Sequence, residues 1–268
     1  MLIAQISDTH IAEAGHRTFG VAPMAENLAA CVADINAQPL PVDVVLVSGD
    51  ITNDGTEGQA RRAAAILSGL DCPYFVIPGN HDDRATLRKV FGKAACPAPD
   101  GDFLSFTVPG FPLHLVALDS TIPDAPGGEI CAARARWLEQ ALAEGGDKPA
   151  LLFLHHPPLK CGVPESDQDG FLGAECLREI VAGQDNIERV LCGHIHLHTH
   201  TRWAGTVVTT APSIGMPLAL DLTQSHPSEF LLDVPSYLLH HWTPERSLIT
   251  HPVRVAPLDG PFPFVERR

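Results

Sequence analysis

The chain has 268 residues, of which 45% are hydrophobic and 19% charged, a composition that excludes disordered and fibrous classes and suits one large α/β domain with an accessory segment. Its formal net charge of −14 excludes a protein that follows the phosphates of long nucleic acids, a task that needs clustered Lys and Arg. An anionic substrate would have to be drawn by a local positive site, and bound metal is the obvious source.

In chain order, the apolar run at residues 2–6 predicts a buried strand that starts directly after Met1, and no signal peptide is expected. Helices are predicted over 25–36, 58–70 and 132–144, the second opened by Thr56 and Gln59 as a capping box. Further buried strands are predicted at 42–47, 74–77, 113–118, 150–154 and 190–192. Residues 203–210 read as a hairpin, 215–235 as loop, and 236–241 with 248–255 as a second hairpin joined across Pro244 and Glu245. No apolar stretch approaches the roughly 20 residues of a membrane span, so a soluble, cytoplasmic protein with no membrane partner is expected. The seven cysteines, Cys31, Cys72, Cys96, Cys131, Cys161, Cys176 and Cys192, are scattered without a C-x-x-C pair. They read as free thiols in a reducing compartment, with one disulfide left open.

The polar residues that carry chemistry stand at the ends of these strands. Asp8-Thr9-His10 follows the first, Gly49-Asp50 the second, Gly79-Asn80-His81-Asp82 the third, His155-His156-Pro157-Pro158 the run at 150–154, and Gly193-His194-Ile195-His196 the run at 190–192. Carboxylates and imidazoles without thiolates form a mixed nitrogen and oxygen donor set, which suits Zn, Fe, Mn or Co better than Ca. A bridging Asp among His and Asn donors can hold two such ions about 3.5–4 Å apart. The glycines at 49, 79 and 193 are expected to let the backbone turn sharply out of each strand.

These motifs, D-x-H, G-D, G-N-H-[DE], H and G-H-x-H in order from Asp8 to His196, resemble the signature of calcineurin-like metallophosphoesterases. The similarity is greatest to bacterial class III cyclic-nucleotide phosphodiesterases and the related glycerophosphodiesterases. The resemblance implies a four-layer αββα sandwich of the mixed α/β class, with residues 1–214 as the catalytic domain. Residues 215–268 would form a C-terminal β extension that packs on the same domain as a cap or oligomer contact. It implies two divalent ions, one held by Asp8, His10 and His196, the other by Asn80, His155 and His194, with Asp50 as bridge. Asp50 and His81 would be the catalytic residues, His81 lying beside the scissile phosphate without ligating metal. Hydrolysis of small phosphodiesters by a metal-bound hydroxide, in a homo-oligomer, is the implied activity.

Asn80 and His81 are expected to touch substrate, and His156 is read either as a substrate or ligand support or as hydrogen-bonded structure. His198 and His200 read as surface, and His226, His240, His241 and His251 as surface or packing. After Gly49-Asp50 the chain continues Ile51-Thr52-Asn53-Asp54-Gly55, without the V-D-R-G run of protein Ser/Thr phosphatases, and the metal-binding Tyr context of purple acid phosphatases is also missing. The alternatives are a phosphomonoesterase or nuclease of the same superfamily, which the acidic charge and these departures disfavour, and a metal-binding interaction module without turnover, which would have no need of His81.

Overall fold

The apolar run after Met1 forms β1 (Leu2–Ile6), buried at every position. The computed structural model describes the whole chain except residues 224, 246, 257, 258, 260, 261, 263 and 265–268. Part of the expected 215–268 extension therefore lies outside the described residues. After β1 come α1 (Met24–Asn36), β2 (Val44–Val47), α2 (Glu57–Leu67), β3 (Tyr74–Val76), α3 (Arg84–Ala95), β4 (Phe106–Val108), β5 (His114–Ala117), β6 (Thr121–Ile122) and β7 (Ala125–Glu129). The chain continues through α4 (Ala132–Gly145), β8 (Ala150–Phe153), α5 (Pro164–Asp169), β9 (Phe171–Leu172), α6 (Ala174–Ala182), β10 (Ile187–Cys192), β11 (Thr199–Trp203), β12 (Thr206–Thr210), β13 (Ser236–Trp242) and β14 (Leu248–Arg254).

Two large sheets result, ordered β14-β13-β1-β2-β3 and β11-β12-β10-β8-β5-β4. Within them β1, β2 and β3 run parallel, as do β5, β8, β10 and β12, so each group delivers its C-terminal ends together. The period of two along a strand sorts the core. In and after β8, Leu151 and Phe153 pack with β1–β3 and α1–α3, whereas Leu152 and Leu154 pack under α4 and α6. Leu115 and Ala117 divide from Val116 and Leu118 in the same way. Both faces of the second sheet are therefore covered at its centre, which is why β8, with the sequence ALLF, is apolar and buried throughout. The order of layers is helices α1–α3, first sheet, second sheet, helices α4 and α6, the four-layer αββα sandwich of the mixed α/β class.

Helix α1 buries Met24, Leu28, Cys31, Val32 and Ile35, the stripe expected of an amphipathic helix lying on a sheet. At α2 the capping box is half formed. Thr56 Oγ1 accepts from the Gln59 amide at 3.3 Å, but Gln59 Oε1 accepts from the Asp54 amide at 2.8 Å instead of reaching back to Thr56. Helix α3 was not expected. Its N-cap is Asp83, whose carboxylate accepts from Thr86 N at 2.7 Å, and Gly92, with φ +56°, interrupts it. A third, small sheet, β6-β7-β9, was not expected either.

The C-terminal hairpin completes the first sheet. β13 pairs antiparallel with β1 from Leu2↔His241 to Gln5↔Leu238, and β14 forms the edge. His240 is fully buried there, with Nε2 3.1 Å from Gln5 Oε1 and Nδ1 2.9 Å from Thr250 Oγ1. All seven cysteines are unpaired. No described helix is long and apolar enough to cross a membrane.

Candidate metal centre

Parallel strands end side by side, so the loops after β1, β2, β3, β8 and β10 converge, and each carries one of the motifs. Main-chain bonds lock the loops in register: His10 N donates to Asp50 O at 2.9 Å, Asp8 N to Gly49 O at 3.1 Å and Gly193 N to His155 O at 2.9 Å. The two sheets are tied across the site by His194 N, which donates to both Asp8 carboxylate oxygens at 3.0 and 3.1 Å.

Five of the expected ligands, Asp8, His10, Asp50, His194 and His196, have positive φ of 52°, 39°, 50°, 72° and 56°. Outside glycine this region costs roughly 1 kcal/mol or more per residue, and such strain is retained where a site over-determines the backbone. Of the three motif glycines only Gly49 turns as expected, with φ +95°. Gly79 and Gly193 do not enter the left-handed region, and the need for glycine there is close approach. A Cβ on Gly79 would collide with Asp50, coming 2.8 Å from its Cγ, and one on Gly193 would strike Ser7 Oγ and come 2.7 Å from Asp8 Oδ2.

The side chains meet in two overlapping sets. Asp8, His10 and His196 converge, with His10 Nε2 and His196 Nε2 3.0 Å apart and His196 Nε2 3.5 Å from Asp8 Oδ1. Asn80, His155 and His194 form the second set, with Asn80 Oδ1 3.2 Å from His155 Nε2 and 3.1 Å from His194 Nδ1. Asp50 stands between them. Its Oδ1 accepts from the His81 amide at 2.9 Å, while its Oδ2 faces His10 Nε2 at 3.6 Å and His155 Nε2 at 3.4 Å. Two imidazole nitrogens pointed at each other, ringed by carboxylate oxygens, are electron-pair donors directed at one small space. That donor chemistry fits divalent cations.

Burial dominates the electrostatics. It holds the His10 imidazole well below its ordinary range and His194 down to about 3, with the neighbouring His155 adding to the latter effect. Both rings are thus neutral, the form that ligates metal. Burial likewise pushes the Asp8 carboxyl up, against the opposing pull of His196 and His155. Burial would also raise Asp50 and lower His155, but their mutual attraction outweighs it. Asp50 is held well below the usual carboxylate range and His155 is lifted to about 9.

His81 stands close to His10 and Asp50, its ring edge-on to His10 at 4.7 Å. Its Nδ1 is bonded to Asn53 O at 2.8 Å, which leaves Nε2 as the nitrogen available to a substrate. Asp82, the last residue of the third motif, is not a ligand candidate. Its carboxylate accepts from Ile51 N, Thr52 N, Gly79 N and Thr52 Oγ1 at 2.7 to 3.0 Å and so clamps the second motif to the third. Burial, then the Asp50 charge, raises it to about 6 against these bonds. His156, expected among the substrate-binding residues, has both ring nitrogens engaged within the protein. It is 2% exposed, with Nδ1 2.9 Å from Ser120 Oγ and Nε2 3.0 Å from Pro126 O, so neither nitrogen is free for a ligand.

Beside Asn80, His81, His194 and His196 opens a cavity of about 300 Å³. Its far walls come from Val163 and the α5 residues Glu165 and Asp169, and from the 215–235 segment, with Leu218, Glu229 and Phe230. Glu165 joins these walls by accepting from Ser228 N at 2.8 Å and from Ser228 Oγ. Among the described residues no lysine or arginine lines the cavity. These wall residues, Ser120 and the carbonyls of Ser48, Pro126 and Met216 were not foreseen. Main-chain carbonyls have no residue signature, and the wall segments carry no metal-ligand pattern.

A family model described as calcineurin-like phosphoesterase matches residues 1–198. A probable glycerophosphodiester phosphodiesterase of Arcobacter nitrofigilis is 34% identical over 269 residues, covering 100% of this chain and 98% of the relative. The 3′,5′-cyclic adenosine monophosphate phosphodiesterase of Escherichia coli K12 is 27% identical over 231 residues, covering 86% and 80%. Among solved structures, a dimetal phosphatase from Danio rerio superposes with a TM-score of 0.65 at 14% identity, over 96% of this chain and 99% of that one.

Proposed function

The chain belongs to the calcineurin-like phosphoesterase family, and from that premise we propose that it is a dimetal-dependent phosphodiesterase acting on small phosphodiesters, glycerophosphodiesters first. The observation that carries this reading is the single Asp50 oxygen facing both His10 and His155 from between two donor sets. Asp8, His10 and His196 would hold one ion and Asn80, His155 and His194 the other, with Asp50 shared and Fe, Mn, Zn or Co as the expected metals. When bound, such cations supply Lewis acidity, lowering the pKa of water and drawing charge from phosphoryl oxygens.

The protein's own residues do the rest. Asn53 O, accepting from Nδ1, orients the His81 ring. A protonated Nε2 could then donate to a phosphoryl oxygen or to the departing alkoxide. The cavity holds the remainder of the substrate between Phe230, Leu218 and Val163. With three carboxylates and, among the described residues, no lysine or arginine on its walls, it favours a substrate whose only negative charge is the diester itself. Polynucleotides and substrates with further phosphates fit poorly.

A second reading, hydrolysis of 3′,5′-cyclic nucleotides, is supported by the relative from E. coli. Metal-reconstituted protein assayed against glycerophosphodiesters, cyclic nucleotides and phosphomonoesters, compared by kcat/KM, tests both. A monoester preferred over every diester would overturn the proposal.

The division into a catalytic region, 1–214, and an extension, 215–268, packed on it belongs to the same proposal and is supported by the pairing of β13 with β1. Exposed Leu220, Leu222, Leu231 and Leu232 support a homo-oligomer with this segment at the contact, which the mass in solution would test. The unpaired cysteines support a cytoplasmic setting.

A further inference from the structure

The imidazoles of the site are not held alike. His155 Nδ1–H donates to Ser48 O and His196 Nδ1–H to Met216 O, both at 2.8 Å. Carbonyl partners of this kind fix the tautomer and aim Nε2 at a metal. His194 is turned the other way. Its Nδ1 faces Asn80, and among the described residues no hydrogen bond holds its Nε2. Packing orients this ring, with the His156 ring 4.7 Å away at 54° and the His155 ring 5.2 Å away at 75°.

His156 is fixed on every side. Ser120 Oγ accepts from the His156 amide at 3.2 Å and donates to its Nδ1 at 2.9 Å, while Nε2–H donates to Pro126 O at 3.0 Å. These bonds select one neutral tautomer. Gly128 closes the remaining side, since a Cβ there would come 2.7 Å from His156 Cβ. Ser120 is itself clamped, because the buried Arg134 donates to the carbonyls on either side of it, Asp119 O at 3.2 Å and Thr121 O at 2.8 Å. Pro126 also lines the substrate cavity.

We infer that Ser120 and His156 form a positioning pair for His194, supplying through a locked ring the orientation that carbonyl partners give His155 and His196. The pair ties the cavity wall at Pro126 to the cation held by Asn80, His155 and His194. The convergence of His155, His156 and His194 is then a support and not a further metal site. This inference rests on the metal-centre reading above.

The test is cobalt(II) binding by calorimetry to metal-free wild type, Ser120→Ala and Ser120→Thr, with kcat, KM and the melting temperature of each metal-free protein. Wild type should bind two equivalents. Ser120→Ala should melt within a few degrees of wild type, bind one equivalent normally, and weaken the other on the order of tenfold or more, with kcat falling more than KM rises. Ser120→Thr, which keeps the hydroxyl, should recover both. Normal binding of both equivalents by Ser120→Ala would overturn the inference. So would an equal loss from both sites with a lowered melting temperature that Thr does not restore, since that marks packing alone. Wild type binding no cobalt would sink the metal-centre reading and this inference with it. Should Ser120→Ala not fold, His156→Asn carries the test. Its carboxamide oxygen can still accept from Ser120 while the face behind His194 is gone, so the same single weakened equivalent is expected and wild-type binding overturns the idea.

Discussion

Asp50 Oδ2 and His155 Nε2 lie 3.4 Å apart, with both side chains at 3% exposure or less. This pair connects the C-terminal end of β2 in the first sheet with that of β8 in the second. Because the same oxygen also faces His10 at 3.6 Å, Asp50→Asn should lower occupancy at both cation sites together and abolish turnover. Elemental analysis should find less than one equivalent where wild type holds two. Full occupancy in the variant would remove Asp50 from the bridging position.

His81 separates chemistry from assembly. Its amide, which bonds Asp50 Oδ1 at 2.9 Å, survives substitution of the side chain, so His81→Ala should keep both cations and its melting temperature. We expect kcat to fall on the order of 10²-fold. The loss should be larger for alkyl leaving groups than for p-nitrophenolate if Nε2 protonates the departing oxygen. A uniform loss assigns it to charge on the phosphoryl oxygens, and loss of metal would make His81 a ligand.

Gly79 and Gly58 offer a matched comparison. A Cβ at Gly79 would meet the Asp50 backbone nitrogen and side chain, which cannot move without displacing the site. At Gly58, in the first turn of α2, the three nearest atoms it would meet all belong to the flexible end of Glu13. Gly79→Ala should lose metal and several degrees of melting temperature, whereas Gly58→Ala should be neutral or slightly stabilising. Equal behaviour of the two variants would show that the close approach at Gly79 is not needed.

His240 predicts an acid-side loss of stability remote from the metal centre. Burial, followed by the nearby Arg189 charge, holds it down to about 3 from the ordinary value of 6.5. A depressed folded value means that the unfolded chain binds the proton first. Stability is therefore full above pH 6.5 and declines as pH falls toward 3, by about 1.4 kcal/mol per unit for one such group. Denaturant titrations of metal-free protein at intervals from pH 7 to 4 should show His240→Gln, which does not titrate, with a shallower decline than wild type. Parallel curves would exclude His240 as a source.

The residues that converge at the candidate site were legible in the sequence because each motif pairs a short apolar run with potential metal donors at its end, a pattern set by local strand geometry. The large strands, α1, α2 and α4, and the two hairpins were legible from apolar periodicity for the same reason. Helix α3 was not, since it begins directly after the third motif and carries Gly92 in its interior. The small sheet β6-β7-β9 was not, because β6 and β9 are two residues long and β7, of five residues, holds two glycines, which leaves no usable period.

Which residues stand behind the ligands only the tertiary structure decided. His156 reads in sequence like its neighbour His155, and what sets it apart is the engagement of both its ring nitrogens by Ser120 and Pro126, 36 and 30 residues away. Gly79 and Gly193 read like turn glycines, yet their need for a missing side chain comes from Asp50, Ser7 and Asp8 pressed against them by the packing of two sheets. Local sequence determines where a strand ends and which donors it presents. What faces those donors is set by long-range packing, which has no period to read along the chain.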